Sequence, residues 1–224
     1  MKHEVLDAVS KSKRKPHPRL ACCGVLVAFF VVGLGVVAWL TAATGLVRVP
    51  VVSSLVYERP VPVTEVRAGV PAETSVVTQF AMLALSGGNT IELSMSEESL
   101  TASFRTLVEE AGISFIRTED VQVAVVAGKG LELFFPVRNN EQGTAVRAIL
   151  QVGTSADGFT ATVTDVRFGS LPIPSWLIAA SVDALVSGVL TRMNQSIPPG
   201  ASITTVSYDS HVVRIVLLRS ATAL

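Results

Sequence analysis

Cysteine is nearly missing from these 224 residues. Only Cys22 and Cys23 are present, side by side near the N-terminus. Adjacent cysteines cannot staple a fold, so everything after residue 23 must be held by packing, which about 175 residues can supply. Charge is also scarce: 16% of residues are Asp, Glu, Lys or Arg, well below the roughly 25% of ordinary soluble proteins. The 18 basic and 18 acidic residues cancel, which argues against a strongly basic nucleic-acid binder, and no nucleic-acid partner is expected. Three histidines occur, and only His211 lies beyond residue 17. One histidine without cysteines cannot supply the clustered ligands zinc requires, so no metal or cofactor is expected. Walker A, G-x-G-x-x-G, EF-hand and G-x-S-x-G patterns are all missing; GTSADG has Asp157 where the second glycine of the last would stand. An apolar content of 49% excludes disorder for the bulk of the chain.

What is there begins with an uncharged run. Leu20 to Val47 reads LACCGVLVAFFVVGLGVVAWLTAATGLV, and as a helix it reaches about 42 Å, enough to cross a ~30 Å hydrocarbon core. Residues 1–19 carry a net +4 and residues 48–224 a net −4. The KSKRKPHPR cluster abuts the run, so positive-inside reasoning puts the tail in the cytoplasm and the rest outside. Trp39 suits the outer interface. A cleaved secretory signal is the competing reading, since LTAATG offers small residues. Its apolar region would be only 7–15 residues, so length favours an uncleaved anchor. Cys22 and Cys23 precede most of the run, whereas a lipoprotein cysteine follows it. At the inner face they are open to acylation or remain plain thiols.

Val49–Ala72 carries Pro50, Pro60, Pro62 and Pro71, which interrupt helices and favour an extended stalk. Thr74–Leu85 suits a helix. Thr90–Met95 alternates like a half-buried strand. Ser96 opens a helix whose first turn holds Glu97 and Glu98, whose stripe is Leu100, Phe104, Leu107, Val108 and Ala111, and whose stop is Gly112. Strands are expected over Ile113–Arg117, Val121–Ala127, Leu131–Arg138, Thr144–Gly153 and Phe159–Gly169. Their short connections permit only antiparallel neighbours. In Phe159–Phe168 the apolar phase moves from Phe159, Ala161, Val163 to Val166, Phe168, which predicts a bulge. Ser175–Gln195 reads as a second helix with Ile178, Val182, Leu185 and Val189 on its stripe, and Ser202–Tyr208 with Val212–Arg219 as a final hairpin. The whole is an α+β chain: cytoplasmic tail 1–19, transmembrane helix 20–47, stalk 48–88, and an extracytoplasmic domain 89–220 of antiparallel meander sheet with two packed helices.

Little of this points to catalysis, and no catalytic residue is assigned. Asp209, Ser210 and His211 name a triad, but neighbours in one turn point apart, whereas a working triad converges from distant segments. The pairs Glu97/Glu98, Glu109/Glu110 and Glu119/Asp120 read as solvated faces, because adjacent helix carboxylates diverge by about 100°. Asn194-Gln195-Ser196 fits a glycosylation sequon. The informative excess is apolar. The helix and sheet faces either close on each other as core or enclose a greasy groove, for which Leu133, Phe135, Ile149, Val163, Trp176, Ile178, Val182 and Leu185 are the candidate lining residues.

The order IELSMSEESLTASFRTLVEEAG, VQVAVVAGKGLELFFPV, TATVTDVRFGSLPIPSWLIAASV, IPPGASITTVSYDSHVVRIVL from Thr90 to Leu218 resembles the YpmS-like family of bacterial single-pass envelope proteins, above all in Val163–Ile178. The family's first helix often carries an Asn where Thr101 stands here. The resemblance implies a Gram-positive-type envelope, an N-in anchor, an extracytoplasmic α+β domain and association with lipase-like esterases. Taken together, the expectation is a non-catalytic, membrane-anchored envelope protein that binds or presents a lipid or acylated component. The alternative is a module that docks an envelope protein and takes no small ligand.

Overall fold

In the computed structural model of the chain, Pro18–Thr44 is one helix, α1. Residues 18–84, 90–155, 158–174, 176–177, 186–188, 190–192, 194–195, 197 and 201–219 are described, and the chain divides into two units, 1–38 and 39–224. In the first unit α1 is apolar around its whole circumference: Phe29, Phe30, Val32 and Val36 are all at least half exposed. A soluble helix shows one stripe instead. Val27–Thr44 has a mean hydropathy of 2.1 and is, among the described residues, the one helix long and apolar enough to cross a membrane.

The second unit opens with the last turn of α1, and the small residues of LTAATG have a packing reason to be small. Ala42 and Ala43 are buried. The last carbonyls of a helix lack internal partners, and here other parts of the unit supply them. Ser170 N–H donates to Ala43 O at 2.9 Å, the Thr144 hydroxyl donates to Thr44 O, and Asn140 Nδ2 donates to Gly45 O at 2.8 Å. Gly45 turns the chain at φ +69°, and a β-carbon there would lie 2.0 Å from the Tyr57 ring. Any other residue at this position would meet both the backbone and the ring penalty.

Beyond a short helix α2 (Val52–Val56), the proline-rich segment is extended, as its composition predicts, but it is no free stalk. Glu58 N–H donates to Ser170 Oγ at 2.7 Å, Val63 N–H to Glu132 Oε1 at 2.8 Å, Val66 N–H to Gln122 Oε1 at 2.9 Å, and Gly69 N–H to Glu98 O at 3.0 Å. Prolines remove backbone donors, and three of these four N–H groups find side-chain acceptors, the fourth a backbone carbonyl. The segment is a strap across one sheet face, ending in α3 (Ala72–Ala84).

The expected single meander is two sheets. Gln122–Val126, Gly130–Pro136, Ala145–Ser155, Gly158–Phe168 and Leu171–Pro172 (β2–β6) form an antiparallel meander in sequence order. Thr90–Ser96 (β1) joins the hairpin Ala201–Asp209 and Val212–Arg219 (β7, β8) in a second sheet, ordered β1-β8-β7. Local periodicity names strands but not partners more than a hundred residues away, which is why Thr90 opposite Leu218 was not readable. Ile113–Arg117, expected as a strand, contributes only the bridge Ile116–Val137. The bulge falls where the phase shift places it. Leu150 faces Val163 while Ile149 faces Asp165, leaving Thr164 as the extra residue.

Helix α4 (Glu97–Glu110) starts at Ser96, whose hydroxyl accepts from Ser99 N–H. Its apolar stripe enters a core shared by both sheets, with Phe104, Val108, Val123, Leu133, Ile215 and Leu217 all buried. A second stripe, Glu97, Thr101 and Arg105, runs along the outer edge of β2. Glu97 Oε1 accepts from Val125 N–H at 2.6 Å, Thr101 Oγ1 accepts from Val123 N–H at 2.9 Å and donates to its carbonyl at 3.3 Å, and Arg105 Nε donates to Val121 O at 2.9 Å. The match is geometric: four helical residues rise about 6 Å, nearly the ~6.7 Å of two strand residues. Gln79 of α3 does the same for β1, its amide bonding Ser94 N–H at 2.9 Å and Ser94 O at 2.7 Å. Tyr208 of β7 reaches across to β4, accepting from Val152 N–H at 2.6 Å and donating to Val152 O at 2.7 Å.

Candidate functional site

Alternation along β3–β5 sends Leu131, Leu133, Phe135, Ala148 and Leu150 into the core and Glu132, Arg147, Ile149 and Gln151 to the opposite face. The strap covers the β2–β3 part of that opposite face, where Val66, Ala124 and Phe134 are buried. It stops short of β4 and β5. What remains open is a groove of about 420 Å³ lined by Val63, Lys129, Glu132, Arg147, Ile149, Gln151, Thr164, Asp165 and Arg167, among others. The bulge shapes it. The extra residue lets both Thr164 and Asp165 line the groove, where an unbroken strand would turn one of them to the core.

Arg147 and Arg167 are directly opposite each other in the β4–β5 register. Like charges at such a position, with Cα atoms about 4.5–5.5 Å apart, are destabilising by a few tenths to about 1 kcal/mol. Each has a carboxylate beside it: Arg167 Nε lies 3.4 Å from Asp165, and Arg147 Nε lies 4.0 Å from Glu132. Glu132 is 2% exposed and also accepts from the strap at Val63. With Lys129 at the rim, the groove keeps one uncompensated positive charge over two guanidinium forks, an arrangement suited to a carboxylate or phosphate. A second groove of about 550 Å³ lies around Arg105, Glu109, Glu119 and Arg138. There the charges balance, and Arg105 is already spent on β2.

No family model and no curated protein matches the chain. The chemistry has to be read from the residues themselves.

Of the eight lining residues inferred from the apolar pattern, the five that are described divide between the core, the charged groove and the surface. Leu133 and Phe135 are core, at 1% and 8% exposure. Val163 faces the same core, half-buried. Ile149 sits on the other face, in the charged groove with Arg147 and Gln151, since it is one residue out of step with Ala148 and Leu150. Trp176 is 76% exposed. Ile178, Val182 and Leu185 lie outside the described residues. The apolar space bounded by Met95, Leu100, Phe104, Leu131, Leu150, Val186, Ile215 and neighbours is about 30 Å³, little more than a water molecule occupies.

The acidic pair Glu97/Glu98 is a correction to the solvated-face expectation. Glu98 is exposed, but Glu97 is 3% exposed. Its Oε2 lies 2.8 Å from His211 Nδ1, and its N–H donates to His211 O at 3.1 Å. His211 holds φ +68° in the β7–β8 turn. The two residues are 114 apart in sequence, so no local signal pairs them. The carboxylate accepts from an exposed imidazole on one side and from a buried strand N–H on the other. It therefore pins the three-stranded sheet's turn to α4 and β2. The hydrogen bond from His211 to Glu97, and then the charges of Glu97 and Glu98, hold the imidazole pKa above its ordinary 6.5. The folded state therefore binds the proton more tightly than the unfolded chain. The contribution is complete below about pH 6.5 and is lost as pH rises through the raised folded value. Thermal melts are expected to show a decline in wild type just above pH 6.5 that is absent in His211→Gln. Parallel curves would mean that protonation of His211 contributes nothing to stability in this range.

The sequon asparagine also has a structural use. Asn194 Oδ1 accepts from Phe159 N–H at 2.9 Å, at the start of β5.

Proposed function

We propose that this chain is a non-catalytic, single-pass membrane protein with its N-terminal tail in the cytoplasm. Its outer domain docks an anionic group of an envelope partner in the groove on β4–β5. The anchor reading is supported by the apolar helix and by the basic cluster on its N-terminal side. The docking reading is carried by Arg147 opposite Arg167: a like-charge pair, kept on an otherwise ordinary sheet face, is stabilised when an anion bridges it. The likeness to YpmS-like envelope proteins fits a helper of this kind. A lipid or acylated ligand needs several hundred Å³ of apolar space, and among the described residues nothing of that size favours it.

The test uses full-length protein in detergent. Inorganic phosphate and a hexaglutamate peptide are titrated by calorimetry at low and high salt, into wild type and into Arg147→Gln/Arg167→Gln. Two charge-assisted contacts make the expected loss about tenfold or more in the double variant, and added salt weakens the wild-type binding. Equal affinity in the two proteins, or no binding by either, removes the groove as an anion site.

A further inference from the structure

The loop from Gly45 to Tyr57 is built inside out. Leu46, Val47, Val51 and Leu55 are exposed at 49, 56, 74 and 79%, while the polar Ser53 is turned inward at 8%. Ser53 Oγ accepts from Val49 N–H at 2.8 Å, and its carbonyl accepts from Tyr57 N–H at 3.0 Å. Water selects the opposite arrangement, with serine out and leucine in. Val51 also sits at φ +68°, a strained conformation for a β-branched residue, and that conformation is kept while its side chain is exposed.

The loop cannot stray from the end of α1. Ser170 closes its neck: the Ser170 N–H holds Ala43 O at 2.9 Å, and the Ser170 hydroxyl holds Glu58 N–H at 2.7 Å and donates to Glu58 O at 3.1 Å. Tyr57 adds a bond from its hydroxyl to Thr144 Oγ1 at 3.0 Å. Entry and exit are thus tied to the same last turn of the apolar helix. Four outward aliphatic side chains on a closed loop at that point have a single non-aqueous phase within reach.

We propose that the Gly45–Tyr57 loop is a lipid-contacting element whose Leu46, Val47, Val51 and Leu55 side chains enter the bilayer interface on the side where α1 emerges. The proposal rests on the reading of α1 as a membrane span. Short apolar elements of this kind bury their side chains a few ångströms into the headgroup–acyl boundary, and Arg48 between them is long enough to keep its charge at the headgroups.

Spin labels test it in full-length protein reconstituted in phosphatidylcholine–phosphatidylglycerol nanodiscs, in a Cys22→Ser/Cys23→Ser background. Cysteines are introduced by Leu55→Cys in the loop, Val32→Cys in α1, and Thr204→Cys at an exposed position of β7. Power saturation with oxygen and with a nickel chelate reports depth. The expected result is oxygen-rich, nickel-poor labels at 55 and 32 and the reverse at 204. A nickel-accessible label at 55 with an oxygen-rich label at 32 overturns the loop proposal and leaves the anchor intact. Nickel access at 32 overturns the anchor itself. A label at 55 shielded from both relaxants marks a protein contact, such as a second copy, and also overturns the proposal.

Discussion

Truncating Leu133 to alanine is expected to destabilise the α+β unit by about 2–5 kcal/mol, the range for a buried leucine whose surroundings relax only partly. In a unit of this size that lowers the melting temperature by roughly 10 °C. Leu133 is 1% exposed and lies opposite Val123 on one side and Ala148 on the other, so no neighbour strand can shift into the vacated space without breaking a ladder. Trp176→Ala, at an exposed position, should change stability by no more than about 0.5 kcal/mol despite removing a larger side chain. Thermal and urea melts of the detergent-solubilised chain, followed by circular dichroism, measure both. If Leu133 lined an open ligand groove, its truncation would cost far less, because the removed atoms would have had fewer partners.

Glu97→Ala carries the second large effect, about 2–4 kcal/mol, and its origin is separable. The substitution leaves the buried Val125 N–H without an acceptor, which costs about 1–3 kcal/mol by itself, more when the lost acceptor is charged. His211, by contrast, is exposed and solvated, and pairs with such partners add little. Most of the loss should therefore persist when Glu97→Ala is made in a His211→Ala background. A loss that vanishes there would place the energy in the ion pair and not in the strand edge. Thr101→Val, nearly the same shape, removes the two bonds to Val123 and should destabilise by about 1–3 kcal/mol.

These two sites mark how far sequence reasoning reached. The β2–β5 meander, the Ser96 cap, the Gly112 stop and the bulge near Thr164 were legible because each is a local pattern: a period of two, a capping hydroxyl, a glycine at φ +62°, a slipped apolar phase. Glu97 was not. Its neighbour Glu98 has the same chemistry, and only the position of β2 decides which of the two turns inward. The strap was half legible, since prolines predicted its extension but not the carboxylate and amide that receive its N–H groups. Ile149 was misplaced although its own strand's alternation already set it beside Arg147 and Gln151. The arginine pair of the groove needed the register across β4 and β5, which the bulge shifts by one.

The pairing of β1 with β8 also bears on the order in which the domain is assembled. Thr90–Ser96 finds its partner in Val212–Leu218, so this ladder closes a loop of more than a hundred residues, and such closures come late and slowly. The meander, by contrast, joins strands a few residues apart and can form as soon as it emerges. A chain that emerges in the order of its synthesis would complete the five-stranded sheet while β1 still waits for its partner. During that interval one face of the shared core, including Leu93 and Met95, is uncovered. An unpaired strand edge and uncovered apolar side chains of this kind favour aggregation and proteolysis, and both are removed once β8 pairs with β1.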